Sequence, residues 1–274
     1  MGLGTKLAIF GRRLKSASLR RMGRNIQAIH QETGKNRLFL FCDMIWCTLH
    51  YGVGYLDYHV FGFACNRGPN RKTFMTMNHN VALARMVNDA TCYPLLQDKF
   101  QFLQRWEEFL GRRWLDLRQA SPEDLAQFCR ECGAVFIKPH ADFGGKGVAR
   151  LEPGPETDFE ELHRSCVESG RYLVEEAIVQ HPEVSALCPQ SVNTLRVVTL
   201  WAEGAAKFVY ALLRVGSGEG NVDNISSGGM YTWVGDDGIL DFPAFCDRTG
   251  LYYDSHPVTG AVFRGYCLPF FREA

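Results

Sequence analysis

Two changes in the spacing of apolar positions divide this chain. From Met1 to Gly34 apolar residues recur loosely at helical intervals among many cations, and residues 38–63 crowd together Phe39, Phe41, Trp46, Tyr51, Tyr55, Tyr58, Phe61 and Phe63, as helices packed on a core would. Asn78 to Cys92 reads as a helix. So does Asp98 to Leu110, where Phe102, Trp106 and Phe109 fall on one face and Gly111 ends the run. Ser121-Pro-Glu-Asp opens a further helix, with Ser as cap, Pro at the first helical position and Asp reaching back to the cap; Gly133 closes it.

The period then shortens. Val135 to Lys138 predicts a strand, a loop follows with Gly144, Gly145 and Gly147, and apolar residues resume at Val148 as a returning strand. A helix over 157–170, opened by Thr157 and closed by Gly170, leads to a strand at Tyr172 to Glu176. Beyond His181, Val192 to Trp201 and Ala206 to Val215 predict an antiparallel hairpin, and Met230 to Val234 with Ile239 to Phe242 predict a second around Gly-Asp-Asp-Gly. The expected class is α+β. Its divisions are a basic arm at 1–37, a mainly helical region at 38–120, a small lobe with a glycine-rich hairpin at 121–180 and a larger antiparallel-sheet lobe at 181–274.

Length and composition allow a substantial core: 274 residues, 46% of them hydrophobic. The formal charge of zero conceals an asymmetry, because residues 1–37 hold nine Lys/Arg against Glu32 alone, about +8 against about −8 elsewhere. The arm is a candidate contact for an anionic membrane surface; the alternative is a solvated helix packed through Leu7, Ile9, Phe10 and Leu14. Lys6 stands where a myristoylation signal needs Ser or Thr. No apolar run reaches the roughly 18–20 residues of a bilayer span, the nearest, Leu38 to Leu49, being broken by Asp43. With no secretory signal the expected location is the cytosol, with the inner membrane face as a candidate peripheral contact. Ten cysteines then read as reduced thiols, and Cys129 with Cys132, the lone C-x-x-C pair, does not make a structural zinc site. No nucleic-acid partner is expected.

The candidate chemistry centres on the glycine loop. Glycines let backbone N–H groups approach an anion, and Lys138 and Lys146 add mobile positive charge, so the hairpin suits a polyphosphate as well as an ordinary turn. The Gly-x4-Gly-Lys-Ser/Thr and Gly-x-Gly-x-x-Gly patterns are both absent. Lys99 occupies the first turn of its helix, where the dipole disfavours a cation. Arg196 and Arg214 stand inside apolar strands and are expected to be buried against a carboxylate or a phosphate. His140 and Asp142 flank the loop, near the phosphates or as loop polarity alone.

Six ordered motifs resemble the ATP-grasp superfamily, and within it the branch associated with sugar transfer. They are Asp98-Lys99, Phe136-Ile-Lys-Pro with Gly144-Gly-Lys-Gly-Val, Leu173-Val-Glu-Glu-Ala-Ile-Val-Gln-His-Pro-Glu183, Asn193-Thr-Leu-Arg-Val-Val, Asp223-Asn-Ile-Ser-Ser-Gly-Gly229 and His256-Pro-Val-Thr-Gly260. The resemblance implies that Lys99 and Lys138 contact ATP phosphates while Gly144, Gly145, Lys146 and Gly147 close over them. It makes Glu175, Glu176, Ala177 and Ile178 the adenine hinge and gives Glu183 the ribose hydroxyls. Arg196 and Arg214 then neutralise the transferred phosphoryl group and an acyl phosphate, and Asn224 lies beside phosphates and Mg²⁺, with Asp223 as a further candidate ligand.

The family pattern runs on past a Pro-Phe-Phe segment, here Pro269-Phe270-Phe271, into strands bearing an aspartate and a Glu-x-Asn pair that bind magnesium, whereas this sequence reaches Ala274. Four expectations stay open: a truncated chain, a polypeptide that completes the site, substitution by Asp223, Asp236, Asp237 and Asp241, or lost catalysis. The leading function is an ATP-dependent carboxylate–amine or related ligase working through an acyl phosphate in cell-surface or capsular polysaccharide biosynthesis, with a carboxylate-bearing small molecule or saccharide acceptor. The alternatives are a silent or split nucleotide-binding scaffold and an ATP-dependent phosphotransferase.

Overall fold

A computed structural model describes residues 19–140 and 147–273. From Leu19 onward the N-terminal part is helical, as its pattern predicts; Leu7, Ile9, Phe10 and Leu14 of the basic arm lie outside the described residues. Helices α1 (Leu19–Thr33), α2 (Arg37–Tyr51) and α3 (Tyr55–Val60) enclose Ile26, Ile29, Leu40, Met44, Cys47, Tyr58 and Phe63. Asn36 caps α2 by accepting from Leu38 and Phe39 amides, and Gly52 ends it with φ 72°. A buried Arg71 locks this layer, donating to Asp43 (2.9 and 2.5 Å) and to the Phe63 carbonyl. Burial alone would raise the Asp43 carboxyl; the hydrogen bonds from Arg71 and Tyr58 and the Arg71 charge outweigh it and hold Asp43 below the usual range.

Helices α4 (Met77–Val87), α5 (Tyr93–Gln97) and α6 (Lys99–Arg105) lead to the lobes. The predicted Asp98–Leu110 helix is shorter than its pattern. Trp106 leaves the helical region (φ −120°, ψ 31°), and a 3₁₀ turn covers Glu107–Phe109. The buried face of α6 is that of Phe100 and Leu103, which cluster with Leu173, while Phe102 and Phe109 are exposed. The helix at Asn78–Cys92 likewise ends at Val87, where extended Asn88 separates it from a 3₁₀ turn.

The small lobe carries an antiparallel sheet of order β1-β4-β2-β3, made by β1 (Trp114–Asp116), β2 (Val135–Lys138), β3 (Ala149–Leu151) and β4 (Leu173–Glu176). Helices α7 (Pro122–Cys132) and α8 (Phe159–Glu168) cover it through Leu125, Cys129 and Cys166. The Ser121–Asp124 capping box forms as predicted, with Ser121 accepting at 3.2 Å and Asp124 accepting at 2.8 Å. Helix α8 is capped by Asp158 instead of Thr157, whose hydroxyl accepts from Gly154. Strand β1, three residues long, is too short to carry an alternating signal.

The second sheet runs in chain order: β5 (Thr194–Ala202), β6 (Ala205–Val215), β7 (Met230–Val234), β8 (Ala244–Cys246) and β9 (Leu251–Tyr253). Strands β5 and β6 form the predicted hairpin. The second predicted hairpin contracts to a Val234–Leu240 bridge, and β7 pairs with β8 instead. Leu187, Leu213, Val215, Met230, Val234 and Phe263 fill the core beneath. The helical layer meets this sheet where the buried His59 ring lies edge-on to Phe245 (5.6 Å) and Tyr252 (6.0 Å).

Candidate nucleotide-binding site

Antiparallel pairing of β2 with β4 sets Phe136 opposite Glu175 and Lys138 opposite Leu173, so the Lys138 side chain reaches diagonally along the same sheet face to Glu175, which is 3% exposed. Lys138 Nζ pairs with Glu175 Oε2, and Arg112, in the turn before β1, donates Nη2 (2.7 Å) and Nε (3.1 Å) to Oε1. Burial pushes the Glu175 carboxyl up, yet the Lys138 and Arg112 charges with their hydrogen bonds overcome it, so the group titrates below the usual carboxylate range. A buried anion is thereby held between two cations.

Lys99 sits at the first turn of α6, and the local reason for its cost there is answered by tertiary structure. Its Nζ donates to the carbonyls of Pro139 (2.8 Å) and His140 (3.1 Å), the last described residues before the glycine loop. The His140 ring lies against Phe100 (6.3 Å) and Tyr172 (5.5 Å). On the far side of the loop Gly147 has φ 69°, and a Cβ there would come within 2.9 Å of Pro139 Cγ, so the two loop ends close on each other only with glycine. Gly144, Gly145, Lys146 and Asp142 lie outside the described residues.

After β4 the Glu176 amide donates to Arg113 O and the Ala177 amide to Ala134 O, both at 3.0 Å; Glu176 Oε2 accepts from the Arg113 amide (3.1 Å). Ile178 and Val179 then emerge, 46% and 95% exposed. Gln180 fastens this segment to the second lobe: it donates to Asn193 O (2.6 Å) and accepts from the Asn193 amide (3.1 Å). Glu183 is exposed, and its carbonyl accepts from the Tyr266 hydroxyl.

In the second lobe, cross-strand register sets Thr194 opposite Arg214. Arg214 donates Nε (2.9 Å) and Nη2 (2.6 Å) to Thr194 Oγ1 and lies 3.3 Å from Asp223 Oδ2, while Thr194 gives its amide (3.2 Å) and hydroxyl to that carboxylate. Arg196 corrects an expectation: it is exposed, as its neighbour Val197 is, because β5 is the edge strand of its sheet and packs on the core at Leu195. Asn224 begins a tight loop in which its carbonyl accepts from Ser227 (2.9 Å) and Gly229 (3.1 Å). A Cβ on Gly229 would collide with the Asp223 carbonyl.

The structure therefore gathers Lys99, Lys138, Glu175 and Gly147 around one loop, and Arg214 and Asp223 into a second group that begins the strand bearing Arg196. Sequence reasoning missed Arg112, Gln180 and Asn193 as participants. A basic pair directly before an apolar strand was the available signal for Arg112; Gln180 carried none.

The described donors do not fit magnesium. Asp223 is already occupied by Arg214 and Thr194, Asp236, Asp237 and Asp241 are exposed around the turn after β7, and among the described residues no three His, Cys, Asp or Glu side chains are grouped to hold a metal ion.

Comparison with known proteins gives one match across most of the chain. No curated protein matches significantly. Among solved structures, D-alanyl-alanine synthetase A from Vibrio cholerae O1 biovar eltor is similar over 44% of this chain and 34% of its own, with 12% sequence identity and a TM-score of 0.33; this chain thus spans about a third of that structure. A family model described as sugar-transfer associated ATP-grasp matches residues 78–274, which include both lysines, the glycine loop, the segment after β4 and the Arg214 group. The chain belongs to the sugar-transfer associated ATP-grasp family.

Proposed function

We propose that the chain binds ATP at the glycine-loop group and acts as an ATP-dependent ligase in cell-surface polysaccharide synthesis. The observation that carries this reading is the convergence of Lys138 and Lys99, 39 positions apart in sequence, on the mouth of one glycine loop. In this reading Lys138 and Lys99 meet the phosphates, and the loop from Gly144 through Gly145, Lys146 and Gly147 closes over them. The amides of Glu176 and Ala177 are committed to the sheet, so the purine edge falls to Ile178 and to carbonyl groups, with exposed Glu183 toward the ribose.

An acid substrate's carboxylate oxygen attacks the γ-phosphorus, the bond to the ADP oxygen breaks, and an acyl phosphate forms. An amine or hydroxyl of a saccharide acceptor then attacks the acyl carbon and releases inorganic phosphate. Exposed Arg196 and half-buried Arg214 are assigned to the charge on the transferred group and the acyl phosphate. Asn224, whose carbonyl closes its loop onto Ser227 and Gly229, is assigned to the same phosphates.

The test is thermal unfolding of the intact protein with ATP, with and without magnesium, alongside Lys138→Met. ATP at about 100 times its dissociation constant stabilises a binder by roughly 2.7 kcal/mol, a shift expected for the native chain and absent from the variant. An unchanged melting temperature in the native chain overturns the nucleotide site. A scaffold that binds without turnover is a second reading, favoured by the poor fit of the described donors to magnesium. Release of ADP and phosphate in the presence of acid and amine panels separates the two.

A further inference from the structure

Helix α2 is apolar on every side. Leu40, Met44 and Cys47 face the core and are buried, whereas Leu38, Phe41, Cys42, Trp46 and Leu49 recur at three- and four-residue steps on the opposite side and are exposed, Leu38 by 71% and Trp46 by 48%. Asp43, the one acidic residue in this helix, is turned inward to Arg71 and Tyr58. A helix apolar all round belongs in a core or against lipid, and this one has one face in neither.

Its surroundings are cationic. Residues 19–72 contain eight Lys/Arg and three Asp/Glu. All three acids have partners in the protein itself, Asp43 in Arg71, Glu32 in His59 and Asp57 in the Gly54 amide. Arg20, Arg21, Arg24 and Arg37 are exposed, and the Arg67 guanidinium lies 5.1 Å over the ring of Phe39, at the edge of the apolar stripe.

We propose that this face docks on an anionic phospholipid surface, with the outer stripe of α2 in the headgroup boundary and the arginines on lipid phosphates. Fifteen residues make a helix of about 22 Å, short of the roughly 30 Å hydrocarbon core, and among the described residues no helix is long and apolar enough to cross a membrane. The helix therefore lies in the plane of the surface. Charge selects this occupant over a second copy of the chain, which would bring two cationic faces together.

The test sediments the intact chain with phosphatidylcholine vesicles, with or without phosphatidylglycerol, beside the double variant Leu38→Glu/Leu49→Glu. Both leucines are exposed, so the variant is expected to melt with the native chain. The expected result is binding to phosphatidylglycerol vesicles that weakens with salt and falls about tenfold or more in the variant. Quenching of tryptophan emission by brominated lipid should be reduced in Trp46→Phe. No sedimentation of the native chain with anionic vesicles overturns the proposal. So does undiminished sedimentation of the double variant, which assigns the lipid contact to residues outside α2. A concentration-dependent dimer in light scattering that the double variant abolishes, without vesicle binding, overturns it in favour of a second copy.

Discussion

Glu175 and Asp223 are both buried carboxylates that face arginine, yet their settings differ. Glu175 lies on β4, in the interior of its sheet between β1 and β2, where its carboxylate receives two cationic side chains. Asp223 lies on a loop, where it receives the Thr194 amide and hydroxyl and a single arginine at 3.3 Å. A strand interior has already committed its amides to neighbouring strands, so an acid there can be balanced only by side-chain charge; a loop offers spare N–H groups. The lobe with Glu175 is thus a rigid charged frame. The lobe with Asp223 instead holds its arginine through the Thr194 hydroxyl as well as through the carboxylate.

The widest gap should come from Glu175→Ala against Asp223→Ala. Removing Glu175 leaves two cations facing each other and should cost about 3 kcal/mol in urea denaturation, the low end for a buried pair because Lys138 and Arg112 are partly exposed. Asp223→Ala should cost about 1–2 kcal/mol. Equal costs would remove the distinction drawn here.

Titration sharpens it. The Glu175 carboxyl is depressed in the folded chain, so its contribution is complete above the unfolded value near 4.3 and is lost as pH falls through the folded value. The melting difference between the native chain and Glu175→Gln should therefore be wide near neutrality and narrow in strong acid. A difference independent of pH would mean that the side chain acts by shape alone.

Lys138→Met should cost about 1 kcal/mol, since Arg112 still compensates Glu175, while abolishing the ATP-dependent shift. Arg196→Ala should change stability by less than about 0.5 kcal/mol, as an exposed residue does, yet depress turnover if the ligase reading holds. Unchanged turnover with any acid and amine pair that supports the native chain would remove Arg196 from the chemistry.

A third carboxylate should give an effect of opposite sign. Burial raises Asp247; the Tyr231 hydroxyl, donating at 3.3 Å, lowers it too little to compensate, and nearby Asp57 raises it further. A raised folded value means that stability is lost as pH rises above the unfolded value near 3.9, so Asp247→Asn should gain up to about 1 kcal/mol at neutral pH and nothing in acid. A loss at neutral pH would show that the charge is compensated after all.

What the sequence determined by itself was what is set within a few residues. The Ser121–Asp124 box, the end of α7 at Gly133 and the β5–β6 hairpin each depend on neighbours along the chain, and the ordered motifs carried the family. Tertiary structure decided the rest. Packing against Leu173 buried Phe100 and Leu103 and left Phe102 outside, α6 ended at Trp106, and Arg196 turned to solvent because β5 is the edge strand of its sheet. The Arg112–Glu175 contact spans 63 positions and exists because β1 pairs with β4; the Lys99 contact with Pro139 spans 40. Such contacts leave no periodic trace, since long-range pairing depends on how sheets assemble and not on the local preferences of either segment.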